Sequence, residues 1–124
     1  MVLTVAVGFG VIGCGPPKLK REMPIRIGDQ PSQGWGFDPQ SVDQTFKVEP
    51  TTDNPVDLFV LVGTDENTAL GMTPEELTQK ATSMKRETTQ ETLTVKVPAK
   101  QVVSVMVRFG EKRLPASGKL KVSN

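Results

Sequence analysis

Cys14 is the only thiol in the chain. It sits in GFGVIGCGPP, Gly8 to Pro17, after an apolar run and before two prolines. A lone thiol excludes an intramolecular disulfide and leaves alkylation as the chemistry a soft nucleophile does best. The sequence has no His, which removes the commonest general base and every Ser-His-Asp or Cys-His arrangement. Zinc sites built from Cys and His fall with it, because one Cys cannot hold the metal. Carboxylates remain. Asp53, Asn54 and Asp57 form one oxygen-rich group, and Asp65, Glu66 and Asn67 form another. Calcium takes oxygen ligands from such loops, but neither group has EF-hand spacing, and Asp and Asn are also ordinary turn residues. Gly63-Thr64 and Gly8-Phe9-Gly10 do not lead into Gly-Lys-Ser/Thr, so neither makes a phosphate loop. No catalytic residue, cofactor or metal is expected, and the six oxygen donors stand as weak calcium candidates.

The surroundings of Cys14 narrow its use. Residues 1–13 carry no charge. The run is too short to span a bilayer, which needs about 20 apolar residues, but it suits the apolar core of a secretory signal. Val11-Ile12-Gly13-Cys14 resembles the lipobox of bacterial lipoproteins. The resemblance implies that the signal is cut before Cys14 and that Cys14 is the lipid attachment point, its thiol alkylated with diacylglycerol. It further implies an envelope location, at the outer membrane where the host has two. No Lys or Arg precedes Lys18, which departs from the basic start of such signals. The alternative is a native core strand, since Val2 to Val7 has the composition for one. Gly15-Pro16-Pro17 then breaks regular structure, and Lys18, Lys20 and Arg21 follow. At an anionic membrane each such cation adds about 1 kcal/mol.

Composition bounds the partners. Fifteen basic and 14 acidic residues give a net charge of +1, without the basic excess of a nucleic-acid binder. Five Phe, one Trp and no Tyr leave few platforms for stacking bases. The expected partners are a membrane, through the lipid anchor, and an envelope protein or polysaccharide.

The elements that must position these groups are mostly strands. A Pro/Gly-rich linker is expected over 14–44, with Pro24 to Ile27 as a short edge strand. Trp35, between Gly34 and Gly36, reads as a cap on a sheet edge more than as a ligand platform. Thr45 to Glu49 alternates. Asp57 to Val62 is continuous and apolar, which suits a strand covered on both faces, and a turn is expected between them over 50–55. Leu93 to Val97 has strict period two, Val102 to Phe109 returns as a long strand, and Lys119 to Val122 alternates again. The inward set is Leu58, Val60, Val62, Leu93, Val95, Val97, Val103, Val105, Val107, Phe109, Leu120 and Val122. One helix is expected over about 73–84: Thr73 is a good N-cap, Pro74 suits the first position, Glu76 completes a capping box, and Leu77, Ala81 and Met84 share a face. Thr88 and Thr89 read as a loop. The fold class is mainly β, a small antiparallel β-sandwich over 45–124 with one inserted short helix.

The order of elements resembles the bacterial pre-peptidase C-terminal domain, a small β-sandwich of secreted proteins. Phe46-Lys47-Val48, Val56 to Val60, Leu93 to Ala99, Val103 to Phe109 and Gly118 to Ser123 carry the likeness. The family's tyrosines are absent, Lys100 stands in place of the turn Gly, and the helix after Thr73 is an insertion. The resemblance implies an accessory module for attachment or binding. Three functions follow from the sequence: a non-enzymatic, envelope-tethered binding or spacer module; a soluble structural or adaptor domain with residues 1–13 as a core strand; and a hydrolase using carboxylates such as Asp57 and Asp65.

Overall fold

The computed structural model describes residues 18–124. Cys14, the apolar run and the lipobox-like motif therefore lie outside the described residues. Seven strands form one antiparallel sheet: β1 (Lys20–Ile27), β2 (Ser32–Phe37), β3 (Gln44–Val62), β4 (Ser83–Gln90), β5 (Leu93–Val97), β6 (Val103–Phe109) and β7 (Ala116–Ser123). Two short helices, α1 (Glu66–Leu70) and α2 (Pro74–Lys80), lie between β3 and β4.

The long strand β3 organises the fold. Its first part pairs with β5 through Gln44 to Val48 and with β7 through Lys47 to Thr52. Its second part pairs with β6 through Val56 to Val62 and with β4 as far as Val60. The sheet therefore has two halves, β1-β7-β3-β5 and β2-β6-β3-β4, with β3 common to both. Side chains alternate across a strand, and the inward sets of the two halves meet in one core. Met23, Ile25 and Ile27 of β1, Phe46 and Val48 of β3, Val95 and Val97 of β5 and Leu120 and Val122 of β7 face Leu58 and Val60 of β3 and Val103, Val105 and Val107 of β6. Phe37 and Phe46 close one end of this core edge to face, with ring centroids 5.7 Å apart. The twelve residues expected to point inward all join it, with Val62, Leu93 and Phe109 only partly buried.

The opposite face of the second half is covered as well. Phe59, Leu61 and Met106 pack against Ala69 of α1 and Leu77 of α2. This explains why Leu58 to Val62 lacks a polar alternation: even positions serve the sheet-to-sheet core, and Phe59 and Leu61 the helices. The same layer explains Gly34 and Gly36. Trp35 turns toward the main core, while a Cβ at Gly34 would meet Met106 Sδ at 2.6 Å and one at Gly36 would meet Glu66 Oε1 at 3.2 Å. The glycines make room for Met106 and the first turn of α1.

Several expectations are corrected. Residues 14–44 are not all linker, since β1 and β2 lie within them and supply core side chains. The expected turn over 50–55 is a bend inside β3, where the strand leaves β7 after Thr52 and meets β6 from Val56. There are two helices and not one. The second ends at Lys80 because Ala81 turns to extended geometry, φ −62° and ψ 132°, and Met84 enters β4. Ala81 and Met84 still pack in the cluster that holds Leu77. Thr88 and Thr89 belong to β4 and not to a loop.

Candidate functional site

The carboxylate groups are the first chemistry to place. Asp53 and Asn54 sit at the bend of β3. Asp53 Oδ1 accepts from the Ser117 N–H at 2.8 Å, and Asn54 Nδ2 donates to the Pro115 carbonyl at 2.8 Å. Both side chains fasten the β3 bend to the approach to β7. Asp57 is buried. Its Oδ1 accepts from the Glu87 N–H at 2.9 Å, and its Oδ2 lies 3.5 Å from Arg86 Nε. That bond serves a bulge in β4: two residues of β4, Arg86 and Glu87, lie opposite the single β3 residue Asp57, between the pairs Leu58↔Lys85 and Val56↔Thr88. Glu87 carries the extra turn with φ 53°.

Asp65 is the N-cap of α1 and accepts from the Thr68 N–H at 2.8 Å. This backbone bond, with a further bond from the Thr68 side chain, holds the carboxyl below its ordinary value. Glu66 begins α1 beside Gly36, and Asn67 is exposed in the same helix. The structure does not gather the six calcium candidates into a cage, and no group of three or more acidic, His or Cys side chains is placed to hold a metal among the described residues. Asp57 and Asp65 lie on different elements, each engaged by backbone N–H groups.

A second region lies where the chain joins the domain. Leu19 is held at both backbone groups by the last residue. Its N–H donates to Asn124 Oδ1 at 2.8 Å, and its carbonyl accepts from the Asn124 N–H at 3.2 Å. Asn124 Nδ2 in turn donates to Gln44 Oε1 at 3.0 Å. The Arg21 guanidinium lies 4.9 Å from the centroid of the Phe37 ring, a cation–π contact over the end of the core. Leu19, Arg21, Phe37, Gln44, Phe46 and Asn124 line a cavity of about 190 Å³. Pockets for small organic ligands run from roughly 300 Å³ upward, so this space suits a clamp better than a substrate site. Sequence reasoning missed the clamp because its partners stand at opposite ends of the chain.

No family model, curated protein or solved structure matches the chain.

Proposed function

We propose that the protein is an envelope lipoprotein: Cys14 carries the lipid, residues 1–13 are removed, and the β-domain binds or spaces a partner without performing chemistry. The observation that carries the reading is the motif Val11-Ile12-Gly13-Cys14 at the end of an uncharged run. The fold adds a reason of length. With β1 beginning at Lys20, only Gly15 to Leu19 separate Cys14 from the sheet. The six steps from Cys14 to Lys20 reach at most about 22 Å when fully extended, so the domain is held beside the headgroups. Clamping Leu19 to Asn124, itself bonded to Gln44, gives that short tether a fixed point of attachment. A non-enzymatic role is supported by the absence of His from the sequence and by the use of Asp57 and Asp65 in backbone hydrogen bonds. Likeness to the pre-peptidase C-terminal domain belongs to the same reading, as an accessory β-module.

The test is the intact mass of the full-length product, expressed in a bacterium and extracted from membranes with detergent. Loss of residues 1–13 with a gain of diacylglyceryl mass is expected, and Cys14→Ser should abolish both the gain and the membrane fraction. An unmodified mass that retains Met1 to Gly13 overturns the reading in favour of a native N-terminal segment.

A further inference from the structure

Register and alternation place most charged residues of the β1-β7-β3-β5 half on its outer face; Arg21 instead lies over the Phe37 ring. On β1 the buried positions are Met23, Ile25 and Ile27, so Lys20, Glu22 and Arg26 point outward. On β7, Lys119 and Lys121 alternate with buried Leu120 and Val122. Lys47 lies between buried Phe46 and Val48, and Lys96 between buried Val95 and Val97. Pairing brings these strands side by side: Lys20 is opposite Ser123, which is opposite Lys47, and Lys96 is opposite Thr45. Six exposed cations share this outer face, namely Lys20, Arg26, Lys47, Lys96, Lys119 and Lys121. Three carboxylates oppose them: Glu22, 3.6 Å from Lys119, Glu49, opposite Lys121 in register, and Asp53, whose Oδ1 accepts from the N–H of Ser117, the register partner of Arg26. The whole chain is nearly neutral, so the rest of the molecule is net acidic and the positive charge is concentrated here.

We infer that this face is a docking surface for the headgroups of an anionic phospholipid bilayer. The inference rests on the tethered reading above and says how the tethered domain lies. Two observations choose the occupant. Charge is complementary: exposed Lys and Arg at an anionic membrane are attracted over a Debye length. The chain also begins its described path at this face, for Lys20 opens β1, the edge strand of the half, six residues after Cys14. Strands stand about 4.8 Å apart, so a tether reaching at most about 22 Å lets the four-stranded face meet the surface that holds the lipid. The helix-covered half then points away from the bilayer.

The experiment separates this inference from the lipoprotein reading. The full chain carrying Cys14→Ser is sedimented with vesicles of phosphatidylcholine alone and of equimolar phosphatidylcholine and phosphatidylglycerol, at low and high ionic strength. Any contribution of residues 1–13 is common to all variants, so the comparison reads the face. Stronger, salt-sensitive binding to the anionic vesicles is expected. Lys47→Gln with Lys96→Gln and Lys121→Gln should weaken it on the order of a hundredfold, the fold-change that about 1 kcal/mol per cation converts to. The pair Lys80→Gln and Lys112→Gln, outside this face, should leave it unchanged. Far-UV circular dichroism checks that each variant keeps its β-structure, and single Lys→Gln changes at the same positions replace a triple variant that loses it. Equal binding to both vesicle types, or binding that survives the three substitutions, overturns the inference. So does retention on a soluble anionic polysaccharide with no vesicle binding. Salt-sensitive, face-dependent binding by a chain whose mass shows no lipid would sustain the docking face and remove the tether.

Discussion

Asp65 shows how a residue that looks like a ligand can be a cap. Its carboxyl is held below the ordinary range by the Thr68 N–H first and the Thr68 side chain second. The unfolded chain therefore binds the proton more readily than the folded one, and the cap's contribution is present above the ordinary carboxylate range. It is lost as pH falls through the lowered folded value. In an NMR titration the Thr68 amide shift should follow Asp65 with a midpoint below that of an unstructured Asp peptide, and Asp65→Asn should keep the helix while removing the titration. A midpoint at or above the peptide value would dismiss this account. Ser104 carries an opposite expectation. It is wholly buried on β6, and its hydroxyl finds no hydrogen-bond partner among the described residues. Removing a desolvated, unsatisfied hydroxyl relieves its burial cost, so Ser104→Ala should raise stability by about 1 kcal/mol in urea denaturation. Gly118 is required by close approach: a Cβ there would collide with the Thr51 carbonyl on β3. Gly118→Ala should lower stability by about 1–3 kcal/mol or more, since backbone cannot yield as a side-chain tip can. At this scale the oxygen donors were visible in the sequence, but their partners were not. Ser117, Pro115 and Glu87 reach Asp53, Asn54 and Asp57 only through pairing between strands distant in the chain.

Among the elements, legibility followed the pattern of burial. β5, β6 and β7 alternate and were readable, and the second part of β3 was readable as covered on both faces because six apolar or buried positions run together there. α2 announced itself through Thr73, Pro74 and Glu76, and the capping box is present with both bonds made. By contrast β4, SMKRETTQ, buries only Thr88. Its backbone is held by β3 and its side chains carry no signal. α1 has five residues, too few for a periodicity, and only Asp65 as N-cap and Gly71 after it mark its ends. β2 was hidden by its glycines, whose reason is the helix layer above them. That layer depends on Leu77, fully buried against Phe59, Leu61 and Met106. Leu77→Ala should cost about 2–5 kcal/mol. In hydrogen exchange the loss of protection should appear first in α2 and α1, with β5 and β7 affected least. Uniform loss across the sheet would mean that the two clusters do not respond separately.

For the molecule as a whole, the mainly β architecture was legible and the domain boundary was not. Residues 14–44 look like linker because Pro, Gly, Gln and Asp dominate them, yet β1 is an edge strand needing only Met23, Ile25 and Ile27 on one face. In the proposed lipoprotein reading, a boundary at Lys20 shortens the tether and would hold the domain close to the membrane surface. In the proposed reading residues 1–13 are removed from the mature protein, so their deletion should leave the thermal unfolding temperature unchanged. A large fall would favour the reading in which that run is part of the fold.

The long strand β3 has a consequence in time. The half that contains β2, β4 and β6 is complete in sequence by Phe109, whereas β1 must wait for β7, with Lys20 opposite Ser123. Pairings between sequence-distant strands are slow to form, and β-rich domains of this kind fold in milliseconds to seconds. A chain emerging from a ribosome or a translocation pore with its N-terminus first can close the helix-covered half early. The cationic half must remain open until β7 is free to pair. Asn124, just beyond β7, then locks Leu19 in place, so the N-terminal edge of the described domain, made before the rest of the sheet, becomes rigid only once β7 has paired.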